Sequence, residues 1–180
     1  MFKKVVLSLS LFAFVGLTGC SSPWKVVRKA QTNPFTKSEA YVASPTKTKG
    51  LQVGELAEGV YLRQIGSAER RRWRVGKNVF SKAFARAIKA NVKGLNVMVH
   101  KPVKPSNFHV YSQLYFVSPY AANKSTKAKI RVRLMQRNKT FDILLLNIEV
   151  PAKGRIGRRM QQAGAELGKR VAKYLSERAR

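Results

Sequence analysis

The most regular pattern in the chain is an alternation of apolar and polar residues in two neighbouring stretches, 108–117 and 127–137. A period of two predicts strands that bury one face. The residues expected to point inward are Phe108, Val110, Ser112, Leu114, Phe116, Ile130, Val132 and Leu134. Residues 141–150 are apolar on both faces, which is typical of a strand inside a sheet. Residues 137–140 predict a hairpin turn between these last two strands.

Apolar residues three or four positions apart predict helices before and after the strands. Residues 57–92 form either one long helix or two helices joined near Gly76, with Asn78 as the cap of the second. Residues 155–177 form the last helix, whose apolar stripe consists of Ile156, Met160, Ala163, Leu167, Val171 and Tyr174. Gly164 and Gly168 permit this helix to approach a neighbour closely, and we expect that neighbour to be the sheet.

The element order predicts an α+β fold, a two-layer sandwich of a mostly antiparallel sheet with two helices packed on one face. Short strands at 51–53 and 95–100 are further candidates for the sheet. We expect residues 51–180 to form this single domain. Residues 20–50 are rich in Ser, Thr, Pro and Lys and predict a tether with little regular structure, apart from a short strand near 39–43.

The first residues have the pattern of an export signal. Lys3 and Lys4 precede an uncharged apolar run over 5–15, which is too short to span a bilayer but has the length of a signal-peptide core. The following Leu17-Thr18-Gly19-Cys20 resembles the lipobox of bacterial lipoproteins. In that family a diacylglycerol is attached to the cysteine and the signal, here residues 1–19, is removed. The alternative is an ordinary secretory signal with a chance cysteine.

The resemblance implies a protein that is anchored to a membrane by its acyl chains rather than one that spans it. Ser21 follows the cysteine where aspartate tends to retain enterobacterial lipoproteins in the inner membrane. We therefore expect the periplasmic face of the outer membrane. The element order is also similar to that of small periplasmic lipoproteins of the lipopolysaccharide-assembly type, which implies a fold and a compartment.

The charge of the chain is strongly positive, with 36 Lys+Arg against 8 Asp+Glu and a formal net charge of +28. Such a balance usually indicates a nucleic-acid binder, but export from the cytoplasm argues against that partner. Residues 70–141 contain 18 Lys+Arg and no carboxylate. Two groups of cations within this stretch are candidate binding residues for an anionic partner: Arg70, Arg71, Arg72 and Arg74 around Trp73, and Lys127, Lys129, Arg131 and Arg133 on the outward side of one strand. The alternative for both groups is a solvated basic surface.

Candidate catalytic residues are few. Asp142 is the only aspartate, and His100 and His109 have no third metal ligand in view. Cys20, if lipidated, leaves no free thiol. We therefore expect no enzymatic activity, no metal and no cofactor.

These observations lead to a non-enzymatic lipoprotein whose basic domain binds or scaffolds an anionic envelope component, such as anionic lipid, lipopolysaccharide or peptidoglycan. The alternative is an accessory subunit of an envelope transport or assembly complex that acts through protein contacts. A role in binding nucleic acid is the weakest of the three hypotheses.

Overall fold

The computed structural model describes residues 24–31, 35, 40–99, 101–102, 104 and 107–180. The predicted signal segment, Cys20 and His100 lie outside these residues. Within them there are three helices, α1 (Glu58–Gln64), α2 (Ser67–Asn91) and α3 (Ile156–Arg178). The strands are β1 (Lys25–Arg28), β2 (Tyr41–Ala43), β3 (Gln52–Val53), β4 (Leu56–Ala57), β5 (Val97–Val99), β6 (Phe108–Val117), β7 (Thr126–Gln136) and β8 (Lys139–Val150).

All eight described strands belong to one sheet with the main order β1-β8-β7-β6-β2-β5. β6, β7, β8 and β1 pair antiparallel, whereas β2 runs parallel to both β5 and β6. The short β3 pairs parallel with the end of β6, and β4 pairs with β3. This arrangement confirms the predicted α+β fold with a mostly antiparallel sheet.

The core lies between the sheet and the helix pair α2 and α3. The apolar side chains of β7 that face the helices (Ala128, Ile130, Val132 and Leu134) are fully buried, as is most of the apolar stripe of α3. Burying one large aliphatic side chain stabilises a fold by about 1.5–3 kcal/mol, so this face supplies much of the driving force for folding.

The two glycines of α3 pack against α2, so the prediction that they pack against the sheet is wrong. A Cβ atom at Gly164 would lie 2.4 Å from the carbonyl oxygen of Phe80, and one at Gly168 would lie 2.5 Å from that of Phe84. The two helix backbones therefore approach each other more closely than any side chain would permit.

The break in the first helical region lies ten residues earlier than predicted. Gly66 has an extended backbone (φ −66°, ψ 165°) and separates α1 from α2, whereas Gly76 lies inside α2 and packs against Met160. Asn78 is also inside α2 and therefore caps no helix. A Cβ atom at Gly76 would lie 3.4 Å from Met160 Cγ, an ordinary packing distance, so this glycine marks a contact between α2 and α3 and no break in the helix.

The prediction of little regular structure over residues 21–50 is wrong at β1, whereas the short strand predicted near residues 39–43 is confirmed as β2. β1 forms an edge of the sheet beside β8, and β2 lies inside the sheet between β5 and β6. Phe35 is only 1% exposed and packs against the rings of Tyr41 and Phe108. A segment with polar composition thus joins the core through a few buried residues.

The hairpin turn is confirmed, and it consists of Arg137 and Asn138, with φ of 49° and 63°. Two consecutive residues with positive φ are the mark of a type I′ turn, whose twist matches that of the adjoining strands. β6 departs from simple alternation: a bulge between Leu114 and Phe116 turns the later side chains over. Val117, instead of the predicted Phe116, is therefore the buried residue at the end of β6.

Candidate anion-binding surface

The sheet has one face covered by α2 and α3 and a second face, the outer face, that points away from the helices. On β7 the predicted ladder Lys127, Lys129, Arg131 and Arg133 lies in one row on this outer face. The first three are exposed and Arg133 is partly buried. Alternate residues on a strand lie about 6.6 Å apart, so the row presents regularly spaced cations.

Strand register places further residues around the ladder. On β6, Tyr111 pairs with Arg133 and Phe116 pairs with Lys129. On the other side, β8 places Ile143 next to Arg133 and Leu145 next to Arg131. Edge strand β1 extends the outer face with two more cations, Lys25 opposite Leu145 and Arg28 opposite Ile143.

Aromatic rings on the outer face contact the cations directly. The Lys129 ammonium nitrogen lies 4.9 Å from the centroid of the Phe116 ring, and the Arg133 guanidinium carbon lies 5.9 Å from the centroid of Tyr111. The bulge in β6 is what turns Phe116 outward to meet Lys129. An aromatic ring attracts a cation but carries no net charge, so it positions the cation and leaves its charge available to an anion.

Carboxylates are scarce on the outer face. Glu149 lies 3.7 Å from Lys127 and also accepts a hydrogen bond from Ser125. In the described part of the chain no carboxylate lies within ion-pair distance of Lys129, Arg131 or Arg133. The positive potential of this face is therefore compensated at one end only.

The arginine cluster lies elsewhere. Arg70, Arg71, Arg72 and Arg74 occupy the first turns of α2 and are exposed, and α2 belongs to the layer that covers the inner face of the sheet. Trp73 among them is buried, and its Nε1–H donates to Glu58 Oε1 at 2.7 Å. The structure therefore does not bring the two predicted groups of cations together on one surface.

Asp142, the candidate catalytic aspartate, makes contacts that hold parts of the fold together. It is fully buried and accepts hydrogen bonds from the backbone N–H of Ala30 (2.8 Å), the Tyr174 hydroxyl (2.7 Å) and Arg178 Nε (2.8 Å). These contacts connect β8, the end of α3 and the segment after β1. Burial, followed by the hydrogen bond to Asp142, raises the pKa of Tyr174 above its usual value. We call this group the Asp142 latch.

The histidine candidate that the structure describes, His109, lies on β6. Burial, with a smaller contribution from the charge of Lys47, lowers the pKa of His109, so the ring is neutral at pH 7. Its Nε2 atom is buried and finds no hydrogen-bond partner among the described residues. Among the described residues no three His, Cys, Asp or Glu side chains cluster as metal ligands would.

Sequence reasoning missed several members of the outer face. The sequence pattern places Lys25 and Arg28 in a tether and Phe116 in the core. The spacing of Lys25-Val26-Val27-Arg28, with two β-branched residues between two cations, was the available signal for a strand. The bulge that exposes Phe116 has no comparable signal in the sequence.

Comparisons with known proteins give a fold and no family. No protein-family model matches the chain, and no curated protein does. Protein XCC0632 from Xanthomonas campestris, of family DUF330, superposes with a TM-score of 0.50 at 9% identity, over 84% of this chain and 92% of that chain. At that identity the likeness concerns the fold alone.

Two further solved structures are similar at lower TM-scores. PelC from Paraburkholderia phytofirmans, a dodecamer, gives 0.46 at 6% identity over 82% of this chain and 96% of its own. Hypothetical protein CT253 from Chlamydia trachomatis gives 0.42 at 14% identity over 77% of this chain and 99% of its own. Within the described residues, none of the helices has the length and apolar character that a membrane span requires.

Proposed function

We propose that this protein is a bacterial lipoprotein, anchored through Cys20 at the periplasmic face of the outer membrane, whose outer face binds an anionic component of the envelope. The observation that supports the proposal best is the row Lys129, Arg131 and Arg133, which has aromatic neighbours and no carboxylate partner among the described residues. Binding of this kind needs no catalytic group, and we propose a non-enzymatic role.

The position of β1 adds support. Five residue steps separate Cys20 from Lys25, where β1 begins, and a chain segment of that length reaches at most about 17 Å. An acyl anchor at Cys20 would therefore keep this edge of the sheet near the membrane surface. Cations that come within a Debye length of an anionic bilayer each contribute about 1 kcal/mol of attraction.

The mode of binding follows from the side chains. Arginine donates paired hydrogen bonds to phosphate or carboxylate oxygens, whereas lysine acts as a point charge. The regular spacing of the ladder suits a surface or polymer that presents repeated anions, as phospholipid headgroups, lipopolysaccharide phosphates and peptidoglycan carboxylates do. Since the attraction is mainly electrostatic, it should weaken as salt increases.

Sedimentation with vesicles tests the proposal. The chain from residue 21 onward, which contains every described strand and helix but lacks Cys20, is mixed with vesicles of phosphatidylglycerol or phosphatidylcholine. We expect the protein to bind the phosphatidylglycerol vesicles and not the phosphatidylcholine vesicles, and to do so only at low salt. The variant with Lys129, Arg131 and Arg133 changed to Gln should lose about a hundredfold in affinity, since three cations contribute about 1 kcal/mol each.

The control variant carries Arg70→Gln, Arg71→Gln and Arg74→Gln, which changes the net charge equally but on the opposite layer. It should lose less than about tenfold in affinity, because these cations lie farther from a surface bound to the outer face. Equal losses in the two variants would show that only net charge matters. Absence of binding at low salt would exclude anionic lipid as the partner, and the same variants would then be tested on lipopolysaccharide and peptidoglycan.

A second function, as an accessory subunit of an envelope transport or assembly complex, is favoured by one feature of β1. Val26 and Val27 are 38% and 55% exposed, and among the described strands β1 pairs with β8 alone. An edge strand with exposed apolar residues is able to accept a strand from another protein. Capture of one stoichiometric protein partner by the wild type, lost in Val27→Pro, would support this function.

A further inference from the structure

A cavity lies on the helical side of the molecule, away from the outer face. It is about 370 Å³ in volume and opens where α1, the start of α2, the loop after β6 and the start of α3 meet. Its lining includes three aromatic side chains, two arginines and one carboxylate: Tyr61, Trp73, Tyr120, Arg72, Arg155 and Glu69. The volume is within the range typical of small-molecule sites.

The walls of the cavity are held rigidly. Arg159, only 1% exposed, donates hydrogen bonds to four backbone carbonyl oxygens: Gly154 (2.9 Å), Ala121 (2.9 Å), Ala122 (2.7 Å) and Lys124 (2.7 Å). These four hydrogen bonds from a buried arginine to backbone carbonyls fix the loop after β6 against α3. Its guanidinium carbon also lies 4.8 Å from the ring centroid of Tyr120.

The opposite wall is equally fixed. Trp73 donates to Glu58, which also pairs with Lys77 at 2.5 Å, and the Tyr61 ring meets Trp73 at a centroid distance of 5.4 Å. Tyr120 nevertheless remains 38% exposed. An aromatic ring that is anchored from behind and exposed in front is suited to stack on a ligand ring.

The charges of the lining identify the ligand chemistry. Arg155 has no carboxylate within ion-pair distance in the described part of the chain, and Arg72 lies 3.7 Å from Glu69. Two guanidinium groups favour an oxyanion, and bidentate hydrogen bonding suits carboxylate or phosphate. Glu69 and the tyrosine hydroxyl groups can accept hydrogen bonds from hydroxyls, which a sugar offers and a simple aromatic acid lacks.

We propose that this cavity binds an acidic sugar, one ring that carries a carboxylate or phosphate, with the ring on Tyr120 and the acid between Arg72 and Arg155. This inference does not depend on the proposed function of the outer face, because the two sites lie on opposite layers.

Calorimetric titration of the purified full chain, in a detergent without sugar, tests the proposal with glucuronate and glucose 6-phosphate as probes. Glucose is the neutral comparison. We expect saturable binding of at least one acidic probe and much weaker binding of glucose. Arg72→Gln or Arg155→Gln should weaken the acidic probe about tenfold, the effect of one charge-assisted hydrogen bond.

Matched variants make the outcome decisive. Arg71→Gln removes the neighbouring exposed charge, which does not line the cavity, and should leave the affinity unchanged. Tyr120→Ala should weaken binding, whereas Tyr120→Phe keeps the ring and should retain most of it. The ladder variant of the outer face should bind the sugars normally, which separates this site from the proposed function.

Three results would overturn the inference. The first is no saturable binding of either acidic probe at millimolar concentrations. The second is an equal effect of Arg71→Gln and Arg72→Gln, which would indicate net charge instead of a site. The third is a folded Tyr120→Ala protein, judged by its circular dichroism and unfolding curve, that binds as tightly as the wild type.

Discussion

β7 carries fully buried apolar residues on one face and cations on the other. Close packing governs the first face and exposed charge governs the second. On the inner face, Ile130, Val132 and Leu134 pack against α2 and α3, so a change in side-chain volume there lowers the stability of the fold. On the outer face, Lys129 and Arg131 are exposed and their charges meet no carboxylate among the described residues. Stability therefore depends on one face of this strand, and the proposed recognition depends on the other.

A second comparison, between the ladder and the arginine cluster, shows how secondary structure changes the meaning of similar sequences. Each has four cations within a short stretch. The period of a strand places all four ladder residues on one face. Consecutive helical residues point about 100° apart, so the cluster on α2 is spread around the helix and Trp73 turns inward. The same number of charges gives a dense row in one place and a dispersed surface in the other.

The inner face is expected to determine stability and the outer face to contribute little to it. The largest effect that would test this difference is expected at the Asp142 latch. Asp142→Ala removes the buried carboxylate that forms an ion pair with Arg178. We expect a loss of about 3–5 kcal/mol in the free energy of unfolding, measured by urea denaturation. Glu149→Gln, a carboxylate of the same strand on the outer face, should change stability by less than about 0.5 kcal/mol. Similar losses in the two variants would contradict this difference between the faces.

A smaller effect is expected where α3 meets α2. Gly164→Ala places a methyl group against the carbonyl of Phe80, and we expect a loss of about 1–3 kcal/mol from overpacking. Gly157→Ala in the same helix meets nothing within 4 Å and should stabilise the protein by about 0.5–1 kcal/mol, since alanine favours helix over glycine. Thermal and urea unfolding of both variants measure the difference. Two variants of equal stability would show that the close approach at Gly164 is not required.

The smallest effect on stability is expected on the outer face. Adjacent ladder cations about 6.6 Å apart repel each other by about 0.6 kcal/mol in water. Salt screens this repulsion. Raising the salt concentration from about 0.01 M to about 1 M should therefore increase the free energy of unfolding of the wild type by about 1 kcal/mol more than that of the variant with Lys129, Arg131 and Arg133 changed to Gln. Parallel urea titrations at the two salt concentrations measure this. An equal salt response would indicate that the ladder charges are already neutralised.

The sequence predicts best those parts of the fold in which the apolar residues repeat at a regular short spacing. The stripe of α3 and the alternation of β7 repeat over many turns or residue pairs, so each residue supports the same interpretation. The ladder was found for the same reason.

The missed parts depend on contacts between distant residues. The strand β2 itself was predicted, but its place between β5 and β6 was not, because parallel partners more than 50 residues away set that place. The extra residue in β6 changes which side chains face outward without changing the composition of the strand. The cavity beside Tyr120 combines four separate parts of the chain, which no local pattern brings together.

The Asp142 latch has a mechanical consequence for a chain held at its amino end. Its hydrogen bond to the backbone of Ala30 comes just after β1, and β1 contacts the rest of the sheet through β8. If residue 20 is pulled, we expect β1 to peel from the edge while the latch holds, so that ten residue steps, which reach about 33 Å, replace five, which reach about 17 Å. We expect the extension to stop at the latch. Pulling on residue 20 would then show a short step in length before the main rupture.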